Sequence, residues 1–325
     1  MKVRKCDHYD QFECLGGPCP DNCCIGDELV IDEAVWQRYM AVPGPFGDRL
    51  RETLKDAVPD GTDYVLEVDG RCPFLNDANY CDIVLTLGPE WLGEVCATFP
   101  RTGDWFAGCF ERSHMLACPE AARQLLGRRE PMAFIESDEP DEDGSVPAPA
   151  EEEAVLLLRS EVLKTLSGRR KPLADRIRDA AGLCGADSPP SYDRAFIATI
   201  LGSMPWAHRV WPDALNALES WYDQTEESLS DAVEETLAKA GPYAAEQLYA
   251  YFIFRYMPWA ADDGDPAGKL SLAVFSAHLI SDLARANAFA RKTPPGEADV
   301  VAAAGIWSKQ LEFAEENLFY LFDLL

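Results

Sequence analysis

The chain has 325 residues, 47% of them hydrophobic, with a formal net charge of −27 and a pI near 4.4. That length exceeds the usual single-core size and predicts two domains. The charge argues against nucleic acid as a partner, because a polyanion is repelled, and no apolar run approaches the roughly 18 residues that span a bilayer.

The first ten residues are charged but lack the apolar segment and small-residue cleavage site of a secretory signal, so a cytoplasmic location is expected. The chain is then punctuated by turns at Gly16-Gly17-Pro18, Pro43-Gly44-Pro45, Pro59-Asp60-Gly61 and Asp69-Gly70. Short helices are predicted at 32–41, 46–57, 88–97 and 117–127, the last opening on Pro119. A short strand is predicted through Tyr64–Val68. Residues 126–154 hold ten acids against two arginines, and the acidic, proline-bearing stretch from Glu136 to Glu153 reads as a linker or exposed loop. Beyond it, helical periodicity predicts helices at 151–167, 171–182, 190–202, 212–239, 242–257, 268–290 and 296–323. In the last of these, Val300, Val301, Ala304, Trp307, Leu311, Ala314, Leu318 and Leu321 recur at three- and four-residue steps and form one apolar face. The expected fold is mainly α. An irregular, cysteine-rich, metal- or cluster-organised domain covers 1–130, an acidic linker or loop 131–153, and an all-α domain 154–325.

Ten of the eleven cysteines lie in the first 118 residues, four of them in the run Cys14-x4-Cys19-x3-Cys23-Cys24. Thiols this dense want either disulfides or a metal. A reducing compartment favours the metal, and adjacent Cys23 and Cys24 cannot easily bridge one another. The four histidines, His8, His114, His208 and His278, are too scattered to complete a Cys/His zinc motif.

The blocks Arg71-Cys72-Pro-Phe-Leu-Asn76, Cys81-Asp-Ile83, Cys96-Ala-Thr-Phe-Pro-Arg101 and Ala117-Cys118-Pro-Glu-Ala-Ala-Arg123 resemble the flagellin lysine N-methylase family. They also resemble the broader group of cysteine-rich domains that bind an iron–sulfur cluster or zinc. The likeness continues through Tyr249-Ala-Tyr-Phe-Ile-Phe-Arg255-Tyr256, Asp263-Gly-Asp265 and the stretch from Trp307 to Leu318. The chain departs from the family pattern at Gly93, where a further cysteine is common, and at Phe313, near which a histidine is common. The resemblance implies methyl transfer from S-adenosylmethionine to the ε-nitrogen of lysine in a protein substrate such as flagellin. It also implies a 4Fe–4S cluster, or zinc in its place, on Cys14, Cys19, Cys23, Cys24, Cys72, Cys81, Cys96 and Cys118. Four thiolates suit one such site. Cys6, Cys109 and Cys184 match nothing in the pattern and are expected to be plain thiols.

Displacement at a sulfonium methyl needs a neutral amine, and a free lysine with a pKa of about 10.4 is neutral in only about one part in 2,500 at pH 7. A proton acceptor is therefore required. The candidates are Asp69, Glu111, Glu312 and Glu316, the last two lying four apart and so expected on one helical face. Each also reads as a surface or capping carboxylate. Arg71, Arg101, Arg123 and Arg255 are the cations expected near the methionine carboxylate or the cluster, unless they serve structural ion pairs. Tyr249, Phe252, Tyr256 and Trp307 are expected to line a pocket where the cysteine domain meets the final helices, attracting sulfonium and ammonium alike. No Gly-x-Gly-x-x-Gly turn and no Cys-x3-Cys-x2-Cys run marks a cofactor site of a common type. The competing readings are an iron–sulfur or zinc-binding redox or sensing module without methyltransferase activity, and a zinc-organised scaffold without chemistry.

Overall fold

The computed structural model describes residues 1–26, 30–55, 63–65, 70–140, 149–225 and 232–325. The chain divides into two compact units, one of Glu13–Thr102 and one that joins Met1–Phe12 to Gly103–Leu325.

The smaller unit is more regular than its turn-rich sequence suggests. Asp32 caps the helix Glu33–Met40 by accepting from the Val35 amide at 2.8 Å, and Gly44–Leu54 follows. Strands Val30–Asp32 and Asp63–Val65 pair antiparallel. Asp82–Leu87 and Glu94–Thr98 complete the helices, so the expected single helix at 88–97 is instead a 3-10 turn at Pro89–Trp91 and a short α-helix. Ile31, Tyr39, Leu50, Leu54, Phe74 and Ile83 form an apolar core of this unit's own. Residues 66–68 of the expected strand, 56–57 of the second helix and Asp69 lie outside the described residues.

The larger unit is helical but not all-α. A four-stranded sheet runs in the order Arg101–Phe106, Cys109–His114, Lys2–Cys6, Phe134–Asp138. Lys2–Cys6 is parallel to Cys109–His114 and antiparallel to Phe134–Asp138. The acidic segment expected as a linker thus begins as a strand. Arg4 lies opposite Glu136 and pairs with it at 2.6 Å, so the basic N-terminal strand answers the acids. Glu151, Glu152 and Glu153 then occupy the first turn of the helix Ala150–Leu166, where carboxylates favour the helix dipole. Residues 141–148 lie outside the described residues.

Pro266–Ala290 is the central helix, started by Asp265 as N-cap and Pro266 in its first turn. It is buried on nearly every side, as a helix apolar all round must be. Trp211–Gln224, Ala244–Tyr256 and Glu297–Leu311 pack on it. The expected helix at 212–239 comprises Trp211–Gln224 and Val233–Leu237, with 226–231 outside the described residues. The expected final helix breaks into Glu297–Leu311 and Glu315–Leu324, because Ala314 turns extended at ψ 94°. All eight apolar positions read from its sequence are buried nonetheless. Among the described residues, no helix is long and apolar enough to cross a membrane.

Candidate functional site

The break in the final helix leaves Glu312 at its C-cap with a side chain only 1% exposed. Oε1 of Glu312 accepts from the Tyr251 hydroxyl at 2.8 Å, from the Tyr256 hydroxyl at 2.6 Å and from Arg255; Oε2 accepts from Ser308. Arg255 also donates to the Tyr251 oxygen at 2.7 Å. Burial opposes the Arg255 charge, but Glu312 and the two tyrosines outweigh it and keep the guanidinium protonated. Burial also drives both phenols well above their usual range, so Tyr251 and Tyr256 are fixed as donors. Removing one partner of such a buried pair costs about 3–5 kcal/mol.

Glu111, on the strand Cys109–His114, is 4% exposed and holds a second network. It accepts from Arg4 at 2.5 Å and from Arg159 at 2.5 and 2.7 Å, while Arg159 also donates to the Phe254 carbonyl at 2.9 Å. This ties the sheet to Ala150–Leu166 and Ala244–Tyr256. A small cavity nearby is lined by Cys6, His8, Tyr9, His114 and Tyr251 among others, with Tyr9 and His114 stacked at 4.5 Å.

The other expected residues separate. Glu316 is exposed in the first turn of the last helix and shares no face with Glu312, since the helix ends between them. Tyr249, Phe252, Tyr256 and Trp307 are 0–3% exposed and belong to the core of the larger unit, Phe252 packing on Trp307 at 4.7 Å; of the helix Ala244–Tyr256 it is Tyr251 that reaches the cavity. Arg71 donates to Asn76 and Asn79 within its own loop, and Arg123 pairs with Glu120 at 2.6 Å. Arg101 is exposed at the start of its strand. Tyr251, Ser308, Arg4 and Arg159 were not singled out from the sequence. Helical spacing was the available signal for two of them, since Tyr251–Arg255 and Ser308–Glu312 each lie four apart.

Seven of the eight expected cysteine ligands, all but Cys118, belong to the smaller unit. Burial pushes the Cys72 thiol up to about 11 and Cys96 up to about 12; Cys23 and Cys81 add to both, and Cys72 adds to Cys96. Cys19 is raised by burial, with Cys23 and Cys14 contributing. The loops that gather these thiols are tied together, with the Cys72 amide on the Cys24 carbonyl at 2.8 Å and a β-bridge between Leu75 and Cys81. The donor chemistry suits a soft cation, which would relieve the mutual repulsion of neighbouring thiolates. Among the described residues, no three Cys, His, Asp or Glu side chains are grouped closely enough to hold a metal ion, and no disulfide is present. At Gly93 a side chain would meet Ile31 at 2.9 Å, which disfavours a further cysteine there.

The fold and site thus define a mostly helical protein with a small mixed sheet, buried carboxylate–arginine networks and a separate thiol-rich unit. Its sequence is related to the flagellin lysine N-methylase family. It is 28% identical over 131 residues to a lysine-N-methylase of Salmonella typhimurium, covering 39% of this chain and 33% of that one. A lysine-N-methylase of Salmonella choleraesuis is 28% identical over 130 residues, 38% of this chain and 32% of the relative. Flagellar biosynthetic protein FliU of Salmonella muenchen is 28% identical over 130 residues, 38% of this chain and 77% of FliU. The chain spans about a third of the length of the two lysine-N-methylases it matches. No family model and no solved structure matches it.

Proposed function

We propose that the chain acts in protein-lysine N-methylation, transferring a methyl group from S-adenosylmethionine to lysine in flagellin or a similar protein. The similarity to two proteins named lysine-N-methylase carries this reading. The geometry supports it through the Glu312 network, which fixes two phenols and a guanidinium away from solvent and orients Tyr251, the member that lines a small cavity. The net charge of −27 would attract a lysine-bearing partner. Within this reading, a 4Fe–4S cluster or zinc would draw its ligands from the eight expected cysteines, Cys23, Cys72, Cys81 and Cys96 among them, whose side chains would have to move closer together than they stand. Cys14, Cys19 and Cys24 stand in the same unit, and Cys118 in the other.

The test is incubation of the purified chain with S-adenosylmethionine and flagellin, followed by mass spectrometry of the flagellin. Lysines heavier by one or more methyl groups are expected, and flagellin of unchanged mass would overturn the reading. The thiol-rich unit has a compact core of its own, which favours the redox or sensing module as the second reading. Metal-loaded protein that transfers no methyl group would select it.

A further inference from the structure

Trp206 is the most exposed aromatic side chain among the described residues, with 69% of its surface open. One exposed apolar side chain is ordinary, but a contiguous patch marks a contact surface. Trp206 belongs to such a patch. It lies in the loop between the helices Arg194–Ser203 and Trp211–Gln224, and this loop crosses the break in the final helix. Ser203 and Tyr320 share a hydrogen bond at 2.9 Å. The Pro205 carbonyl accepts from Gln310 at 2.7 Å and from Asn317 at 3.0 Å, and the Ala207 amide donates to Gln310 at 3.1 Å. The His208 ring then meets Phe313 edge-on at 6.3 Å. The loop therefore runs from Tyr320 to Phe313, with Trp206 between them. Phe313 and Tyr320 are exposed as well, so three aromatic side chains form one open row. Glu316 lies four residues before Tyr320 on the same helical face and is exposed beside the row.

The row is held rigidly. Both chain neighbours of Trp206 are tied to Gln310 or Asn317, which are themselves buried. An anchor fixed in this way loses little freedom on binding, and Trp and Tyr carry much of the energy of protein contacts. Charge then selects the occupant. Residues 203–213 and 313–325 carry Asp213, Glu315, Glu316 and Asp323 against Arg209 alone. A second copy of the chain, itself at −27, would bring like charges together. An anionic lipid surface is repelled for the same reason. Lysine and arginine side chains are drawn both by these acids and by the open ring faces. We propose that Tyr320, Trp206 and Phe313 form a docking surface for a partner protein, which presents an apolar side chain flanked by lysine or arginine. The apolar side chain packs on the Trp206 indole, and its cationic neighbours face Glu315 and Glu316. The assignment is independent of methyl transfer, since it concerns what the surface holds.

Fluorescence anisotropy on the full chain tests this at physiological salt, where the Debye length is about 8 Å and distant charge is screened. The probe is a fluorescein-labelled helical peptide of leucine and lysine. Two comparison peptides carry serine in place of the leucines or glutamate in place of the lysines. The parent should bind the leucine–lysine peptide more tightly than either. Trp206→Ala should weaken that binding at least about tenfold, and Glu316→Gln about threefold. Both changes fall on exposed groups and should leave the far-UV circular dichroism unchanged. Leu157→Ala, on an exposed apolar residue of the helix Ala150–Leu166, and Glu219→Gln, on an exposed acid, should match the parent. Equal affinity of the parent and Trp206→Ala, an equal loss in Leu157→Ala, or equal affinity for the leucine and serine peptides would overturn the assignment. Dimers of the parent that Trp206→Ala disperses would give the surface to a second copy. Binding to phosphatidylcholine vesicles that Trp206→Ala abolishes would give it to lipid, and either result overturns the partner protein.

Discussion

Asp282 sits in the long helix Pro266–Ala290 with 1% of its surface exposed. One oxygen accepts from the Tyr222 hydroxyl at 2.7 Å, and the other finds no partner among the described residues. Burial raises its carboxyl to about 7, while Tyr222 and Arg194 pull it down. An unfolded aspartate titrates near 3.9, so between about pH 4 and 7 the folded protein holds a proton that the unfolded chain has released. Stability falls as pH rises through that window and levels off above it. Each pKa unit is worth about 1.4 kcal/mol, so the total is a few kcal/mol. Asp282→Asn keeps the shape without the charge and should lack this decline. Denaturant unfolding of both proteins at several pH values measures the difference, and parallel profiles would refute it. Nothing in the residues around position 282 in sequence announces this. Its partner Tyr222 comes from another helix.

At the scale of elements, the residues Glu312 to Ala314 matter most. Their periodicity continues the helix, and every apolar position is indeed buried, but the backbone turns extended at Ala314. Asn317 holds the new start in place. It is wholly buried, and its Nδ2 donates to the Gln310 carbonyl at 2.9 Å and the Pro205 carbonyl at 3.0 Å. Asn317→Ala would strip both carbonyls of this donor and should cost about 1–3 kcal/mol. Substitution of exposed Glu316 by Gln should stay within about 0.5 kcal/mol. Chemical denaturation decides the matter; equal midpoints for the two variants would mean that Asn317 does not secure the break. The strands Lys2–Cys6 and Phe134–Asp138 escaped the sequence reading for a related reason. They are short and charged, and gain their apolar contacts and ion pairs only from partners distant in sequence, each other and Cys109–His114 among them.

Across the whole molecule, the cysteines divide by unit. Cys72 and Cys96 are buried or half-buried among other thiols, whereas Cys6, Cys109 and Cys184 belong to the larger unit. A hydroxyl binds iron or zinc far more weakly than a thiolate. After anaerobic purification, Cys72→Ser and Cys96→Ser should therefore lower the metal content per chain, while serine at Cys6, Cys109 or Cys184 should leave it unchanged. Metal analysis with an absorbance spectrum measures this, and equal loss in both groups would reject the division.

The sequence by itself determined the mostly helical character, the approximate spans of its helices and which of their positions are buried, because helix periodicity is local and burial follows it. It also singled out Glu312, Arg255 and Tyr256, which the structure brings into one network. It could not show that Glu316 faces solvent, which depends on a single broken turn, or that Met1–Phe12 joins the larger unit, which depends on partners a hundred or more residues away.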